Sequence, residues 1–272
     1  MVVKQLLAVA IGIAAVLFLM SLPKVIINKD DKNKLADNRN SMPDVAAFRQ
    51  KTKPVVSGKD KLIIERLRNF YNNTSSLEKK CTFADSLTKV FISIQEIDSA
   101  IAYAERIVLI NPGIKSSKIA ADTYFSAFNI VTEPTLSASF SDKARQAYLS
   151  VLQYEPDNLE AKNNLAMTYV TSENPMQAIA LLREVIQKDP KNSTANFNLG
   201  YLSVLSGQYD KAINRFEALL KDNPRFWKAR LYLGIALKET GKKEQANEEF
   251  AQVIKNERDP ALVAEAQNQL KN

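Results

Sequence analysis

The sequence lacks three resources on which most enzymes depend. It contains no His and a single Cys, Cys81, and only 7 of its 272 residues are Gly. Without His, the chain lacks the commonest metal ligand and the commonest acid–base catalyst. One Cys can form neither an internal disulfide nor a multi-thiolate metal site, and few Gly remain for phosphate-binding loops. We therefore expect no catalytic, cofactor-binding or metal site, and a chain that is not an enzyme.

An apolar run is the first extended feature that is present. It reaches from Leu6 to Leu22 and is flanked by Lys4 and Lys24. A helix that spans a bilayer needs roughly 17–25 apolar residues, so we predict a transmembrane anchor at 6–23 after a short tail at 1–5. A cleaved signal peptide is the main alternative, although the run lacks the paired small residues of a cleavage site. A buried core helix is the other alternative, but the polar segment that follows offers it nothing to pack against.

The formal net charge of +7 lies next to this run. Residues 24–80 contain 14 Lys/Arg and 7 Asp/Glu, whereas residues 81–272 contain 22 and 23. We predict a basic, mostly extended linker at 24–58, followed by an amphipathic helix and loop at 59–76. The basic charge either attracts anionic lipid or belongs to a solvated linker. We expect no nucleic-acid partner, because the folded region has no basic stripe with interleaved aromatic residues.

The side of the membrane stays open in the sequence. The positive-inside rule places the domain after the basic linker in the cytoplasm. However, Lys4 followed by an apolar stretch also resembles a bacterial signal-anchor, which exports the segment that follows it. Of the two arrangements, we prefer the bacterial inner membrane with the domain in the periplasm.

A 34-residue period dominates the second half of the chain. The recurring residues are Pro156, Pro190 and Pro224; Leu165, Leu199 and Leu233; Ala166, Gly200 and Gly234; Ala178, Ala212 and Ala246; and Leu182, Phe216 and Phe250. Gly207 and Gly241 separate the two halves of their repeats. This pattern, and the segment from Asn198 to Ile213 in particular, resembles the tetratricopeptide repeat (TPR) family.

The resemblance implies an all-α solenoid, a right-handed superhelix of stacked helix-turn-helix repeats. The expected units are about five repeats at 81–114, 115–158, 159–192, 193–226 and 227–260, and a capping helix at 261–272. The second unit is ten residues longer than the period, and we place the excess in a loop between Thr132 and Phe140. Asp259 and Pro260 suit the N-cap and the first turn of the last helix.

In this family the first helices of the repeats line a concave groove that usually holds a peptide of a partner protein. The resemblance places eight residues of this chain in or beside such a groove: Asn163, Met167, Phe197, Asn198, Tyr201, Lys228, Leu231 and Ile235. The apolar members suit an apolar peptide or partner helix. The alternative is that neighbouring helices cover them as ordinary core. We do not expect the carboxylate clamp of one subfamily, because only Asn198 and Lys228 match its five residues.

This layout indicates a membrane-anchored adaptor that binds a partner protein or peptide and assists a membrane-associated assembly or translocation complex. One alternative is an import or chaperone-docking receptor on an organelle membrane. Others are a self-assembling structural repeat and an enzyme whose chemistry does not use His.

Overall fold

The computed structural model describes residues 56–172 and 174–271, which form twelve α-helices and no strand. The helices are α1 (Gly58–Asn73), α2 (Leu77–Ser93), α3 (Ile97–Ile110), α4 (Ile114–Ile130), α5 (Pro134–Tyr154), α6 (Leu159–Tyr169), α7 (Met176–Lys188), α8 (Ser193–Leu205), α9 (Tyr209–Asp222), α10 (Trp227–Glu239), α11 (Lys243–Asn256) and α12 (Pro260–Lys271). Within these residues no helix combines the length and apolar character needed to cross a membrane. The anchor predicted at 6–23 and the linker up to residue 55 lie outside the described residues.

Ten of the helices form five consecutive pairs, from α2–α3 to α10–α11, and α1 and α12 pack on the two ends. A Pro stands two residues beyond the end of α3, α5, α7 and α9, because Pro cannot continue a helix. Asn caps open α6 and α8. Asn158 Oδ1 accepts the N–H of Ala161 at 2.9 Å, and Asn192 Oδ1 accepts that of Ala195 at 3.0 Å. Local sequence thus fixes where the helices begin and end.

The two helices of the later pairs approach each other closely at Gly. A Cβ added to Gly200 of α8 would lie 2.6 Å from Cε1 of Phe216 on α9. Gly234 of α10 and Phe250 of α11 repeat this arrangement, also at 2.6 Å. Ordinary carbon–carbon contacts are about 3.5–4.0 Å, so the ring occupies the space that a side chain at the Gly would need.

The turn between the helices of a pair requires a left-handed residue. Gly207 has φ of 69° and Gly241 has φ of 80°, and Gln95 occupies the same position in the first pair with φ of 58°. In all three turns the N–H of this residue donates to the carbonyl three positions earlier at 3.0 Å. Gly adopts this conformation without a steric penalty, whereas Gln does not.

The loop predicted between Thr132 and Phe140 was wrong, because α5 begins at Pro134 and includes most of that segment. Pro134 occupies the first turn, where its missing N–H costs nothing. The Glu133 carboxylate caps the helix by accepting the N–H of Leu136 at 2.6 Å. Phe140 is buried against Ala127 and Phe128 of α4. The ten extra residues therefore lengthen both helices of this pair, to 17 residues in α4 and 21 in α5, instead of forming a loop.

The buried side chains form two main clusters along the solenoid. The cluster at the N-terminal end joins α1, α2 and α3 and runs from Ile64 to Ile107. The larger cluster extends from Ala121 of α4 to Ala266 of α12. Helix α12 occupies the segment for which a capping helix was expected, and its exposed residues include Ala264, Asn268 and Lys271. It covers the last pair of helices with a largely polar outer side.

Candidate functional site

The eight residues predicted for the groove, which we call the groove row, lie on the first helices of three successive pairs. Asn163 and Met167 are on α6, Phe197, Asn198 and Tyr201 on α8, and Lys228, Leu231 and Ile235 on α10. Only Met167 and Lys228 retain substantial exposure, since the other six are at most 8% exposed. The row therefore has two accessible positions above a mostly buried base.

An aromatic cluster forms the centre of this base. The ring of Phe197 stacks on Phe226 at a centroid distance of 5.3 Å and meets Tyr232 edge-on at 5.7 Å. Tyr201 meets Tyr232 edge-on at 5.2 Å. Such pairs contribute about 0.5–1.5 kcal/mol each beyond the area that they bury. Phe197 and Tyr201 are thus part of the contact between α8 and the following pair. For these two residues the alternative prediction, that neighbouring helices cover them as core, is confirmed.

Phe226 and Tyr232 were not among the predicted residues, although they complete this cluster. Phe226 directly precedes α10, and Tyr232 follows Leu231 on it. Tyr232 is 5% exposed, and burial raises its pKa well above the ordinary tyrosine value, with Tyr201 and Glu265 adding to the shift. The only signal in the sequence was the density of aromatic residues near these two helices.

Leu231 and Ile235 form the C-terminal part of the base and are 0% and 2% exposed. They belong to the main buried cluster, to which α12 contributes Ala266 and Leu262. The Lys238 ammonium fixes α12 against α10 by donating to the Gln269 carbonyl at 2.8 Å. A cation at the carbonyl end of a helix is favourable. The terminal helix therefore closes this end of the row.

Lys228 is the accessible cation of the groove row. Its Nζ lies 5.2 Å from the centroid of the Phe197 ring, within the range of a cation–π contact. The side chain as a whole is exposed, but loss of water around the ammonium group lowers the pKa of Lys228, against the opposing charge of Asp259. Among the described residues, no carboxylate lies within 4 Å of this ammonium.

Asn163 brings a buried amide to the other end of the row. Its Nδ2 donates to Asn192 Oδ1 at 3.2 Å, which links α6 to the cap of α8. Its Oδ1 accepts no hydrogen bond within the described part of the chain. Asn163 is only 3% exposed and Asn198 only 7%, so neither amide faces open solvent. Both residues support the helices of the row from within.

Comparison with known families identifies the repeating unit. A sequence model described as "Tetratricopeptide repeat" matches residues 141–196, 170–218 and 203–270. Residues 141–270 are tetratricopeptide repeats. The matched span contains α6 to α11 and hence the entire groove row. No curated protein sequence matches the chain.

Three similar solved structures accompany the TPR match. TTC0263, described as a thermophilic TPR protein in Thermus thermophilus, has a TM-score of 0.58 and 18% identity, over 71% of this chain and 100% of that chain. The MamA protein has a TM-score of 0.46 and 17% identity, over 71% and 96%. YrrB, described as a TPR protein with an unusual peptide-binding site, has a TM-score of 0.41 and 20% identity, over 79% and 100%. At these identities the TTC0263 match shows the fold alone.

A polar network joins α4, α5 and α6 at the upstream end of the groove row. Lys118 Nζ of α4 lies 3.0 Å from Asp122 Oδ2 and 3.0 Å from Glu160 Oε2 of α6. The buried Tyr148 hydroxyl donates to Asp122 Oδ1 at 2.7 Å and accepts from Asn164 Nδ2 at 3.0 Å. Burial, followed by the Asp122 charge, raises the pKa of Tyr148. Sequence reasoning missed this network because its members come from three helices.

A cavity of about 420 Å³ lies away from the TPR groove row, at the N-terminal end. Its lining includes Ile64 and Arg68 of α1 and Phe91 of α2, and the Arg68 guanidinium lies 5.4 Å from the Phe91 ring centroid. Among the described residues, no group of three or more Cys, Asp or Glu side chains is placed to hold a metal ion. The geometry around the groove row suits the binding of another chain by contact, since it offers a rigid aromatic base and a cation.

Proposed function

We propose that this chain is a protein-binding adaptor whose repeats hold a segment of a partner protein along the groove row. Tetratricopeptide repeats generally mediate protein–protein interactions. The observation that supports this site is Lys228, an exposed residue whose partly desolvated ammonium forms no ion pair among the described residues and lies 5.2 Å from the centroid of the Phe197 ring. A partner segment that brings a carboxylate to this ammonium forms a charge-assisted contact that the isolated chain lacks.

Met167 provides the second contact of the proposed site. It occupies the position in α6 that Tyr201 occupies in α8 and Ile235 in α10, but it is only partly buried. An exposed Met adapts its three rotatable bonds to apolar groups of different shape. The partner segment is therefore proposed to present an apolar side chain toward α6 and an acidic group toward α10.

Photo-crosslinking from single positions tests this proposal. Benzoylphenylalanine replaces Met167, Lys228 or, as the control, Lys221, which is an exposed Lys on the second helix α9. We expect the same adduct from the two groove positions and none from Lys221. Adducts at all three positions, or at Lys221 alone, would place the partner elsewhere. Phe197 and Tyr201 are unsuitable because their replacement would remove buried core.

We further propose that residues 6–23 tether this adaptor to a membrane, with the repeats on the exported side. The support is the apolar run and its flanking Lys4 and Lys24. Deletion of 6–23 should release the chain from the membrane fraction in alkaline carbonate. For sidedness, Ser75→Cys in a Cys81→Ala background supplies one exposed thiol. An impermeant maleimide should label it in intact spheroplasts, and labelling only after lysis would instead place the repeats in the cytoplasm.

A further inference from the structure

Helix α1 has one face that the rest of the described chain leaves largely exposed, apart from a ring contact with α2 near the end of the helix. The α1 outer face consists of Lys59, Leu62, Ile63, Arg66 and Phe70, whose spacing places them along one side of the helix. Leu62 is 55% exposed and Phe70 is 48% exposed, and Lys59 and Arg66 are also exposed. The opposite side of α1 buries Ile64, with Leu67 and Tyr71 against the N-terminal core.

The charge on this face has one sign. The two carboxylates of α1 lie off the outer face, since Asp60 caps the start of the helix through Ser57 and Glu65 lines the cavity beside α2. On α2, Phe83 stacks on Phe70 with a centroid distance of 5.3 Å. Lys79, one turn before Phe83, adds a further exposed cation on the same side of α2. The α1 outer face therefore carries large apolar side chains and cations, and the exposed carboxylates nearest to it in sequence are Glu65 on α1 and Glu78 beside Lys79 on α2.

The opposite end of the solenoid has a different character. The exposed residues of α12 include Ala264, Gln267, Asn268 and Lys271, and Leu270 at 40% is its single exposed large apolar side chain. A helix that only closes a stack needs a polar outer side of this kind. Helix α1 therefore carries apolar and basic groups beyond those that capping requires.

We infer that the α1 outer face lies on the surface of an anionic bilayer. Helices with Lys or Arg beside Leu and Phe bury their apolar side chains at the boundary between headgroups and acyl chains and attract anionic lipid. The described residues begin at Val56, two residues before α1, and the segment 24–55 that precedes them in sequence is basic. A second copy of the chain fits less well, because a two-fold contact would place Lys59 and Arg66 of both copies in one interface to which the outer face contributes no carboxylate.

This inference rests on the proposed membrane tether and orients the repeats relative to it. The tether alone leaves the solenoid free at the end of a long linker. Contact through α1 instead holds the N-terminal end at the lipid surface and directs the groove row away from it along the solenoid. Each cation near an anionic surface strengthens the contact about fivefold, so Lys59 and Arg66 together contribute about 25-fold.

Depth-dependent quenching of the full chain in vesicles tests this inference. The background is Cys81→Ala, with an environment-sensitive fluorophore on Asn69→Cys, beside the outer face, or on Ala264→Cys of α12 as the control; both positions are exposed. The vesicles contain brominated phosphatidylcholine, with or without phosphatidylglycerol. We expect bromine to quench the label at position 69 in the anionic vesicles only, and to leave the label at position 264 unaffected in both.

Charge variants provide the matched comparison. Lys59→Gln with Arg66→Gln should reduce the ratio of quenched to unquenched label at position 69 about 25-fold. Lys242→Gln with Lys243→Gln, which removes two exposed cations elsewhere, should leave it unchanged. Equal quenching at positions 69 and 264 in anionic vesicles would overturn the inference. It would also be overturned if the label at position 69 were shielded only when a protein partner was added. Flotation with the vesicles after a high-salt wash measures the tether separately, so that failure of the tether and failure of the α1 contact give different results.

Discussion

The close approach of Gly200 to Phe216 leads to a quantitative prediction about stability. An added Cβ would lie 2.6 Å from Cε1 and 2.8 Å from Cζ of the Phe216 ring, which is 0% exposed. Overfilling a packed core by a methyl group costs about 1–3 kcal/mol. Ala is favoured over Gly inside a helix by about 1 kcal/mol. Gly200→Ala should therefore lower the free energy of unfolding by about 1 kcal/mol, despite the better helix propensity.

The second mutation of a double-mutant cycle isolates the clash. Phe216→Leu alone should cost about 1–2 kcal/mol, because Leu refills only part of the space of the ring. In the double mutant the methyl group of Ala enters that space, so the two changes should couple favourably by about 1–3 kcal/mol. The preceding repeat already contains this combination: Ala166 and Leu182 occupy the positions of Gly200 and Phe216, and both are fully buried.

Urea unfolding followed by circular dichroism measures all four members of the cycle, and an unchanged m-value verifies that the transitions are comparable. Gly58→Ala is the control, because no atom lies within 4 Å of a Cβ built at Gly58. It should leave stability unchanged or raise it. If Gly200→Ala stabilised the protein by the full helix-propensity difference and the coupling were near zero, the steric explanation for Gly at this position would be refuted.

Three further predictions concern the turns, the buried phenols and the helix caps. Gln95→Gly should raise the free energy of unfolding by about 0.5–1 kcal/mol in urea titrations, because relief of the left-handed strain exceeds the entropy cost of Gly. The control is Lys242→Gly: Lys242 has φ of −86° and is not strained, so this change should lower the free energy of unfolding. Burial raises the pKa values of Tyr148 and Tyr232, so the unfolded chain loses these phenolic protons at a lower pH than the folded chain. The free energy of unfolding should therefore fall above pH 10 by about 1.4 kcal/mol per pH unit for each residue. If Tyr148→Phe left this dependence of stability on pH unchanged, the prediction for Tyr148 would be contradicted. Asn158→Ala should cost about 1 kcal/mol in thermal unfolding and Asn158→Gly only a few tenths, whereas equal losses would mean that the cap of α6 is unimportant.

The repeat unit was predictable because its signals are local and periodic. Pro156, Pro190 and Pro224, and the small residues opposite Leu182, Phe216 and Phe250, repeat at the spacing that the helix pairs require. The segment before Phe140 was misread because its Ser, Thr and Pro residues favour loops when they are taken singly. In the structure Ser137 donates to the Phe128 carbonyl of α4 and Ser141 to the Thr168 carbonyl of α6, so these residues face the two helices that pack against α5.

The exposure of the groove row could not be predicted from spacing alone. Spacing tells which face of α8 carries Phe197 and Tyr201, but not how much of that face the next pair covers. That depends on Phe226 and Tyr232, which lie 29 and 31 residues beyond Phe197 and Tyr201. The accessible part of the groove row is thus reduced to Met167 and Lys228.

The affinity of the crosslinked partner for purified variants tests the central claim, binding through the groove row, most directly. The variants are Met167→Glu with Lys228→Glu, and Lys221→Glu as the matched control on α9. The account predicts that the groove variant binds at least about tenfold more weakly, which corresponds to about 1.4 kcal/mol, while its circular dichroism and the affinity of the control stay unchanged. Equal affinity of the wild type and a folded groove variant would contradict it.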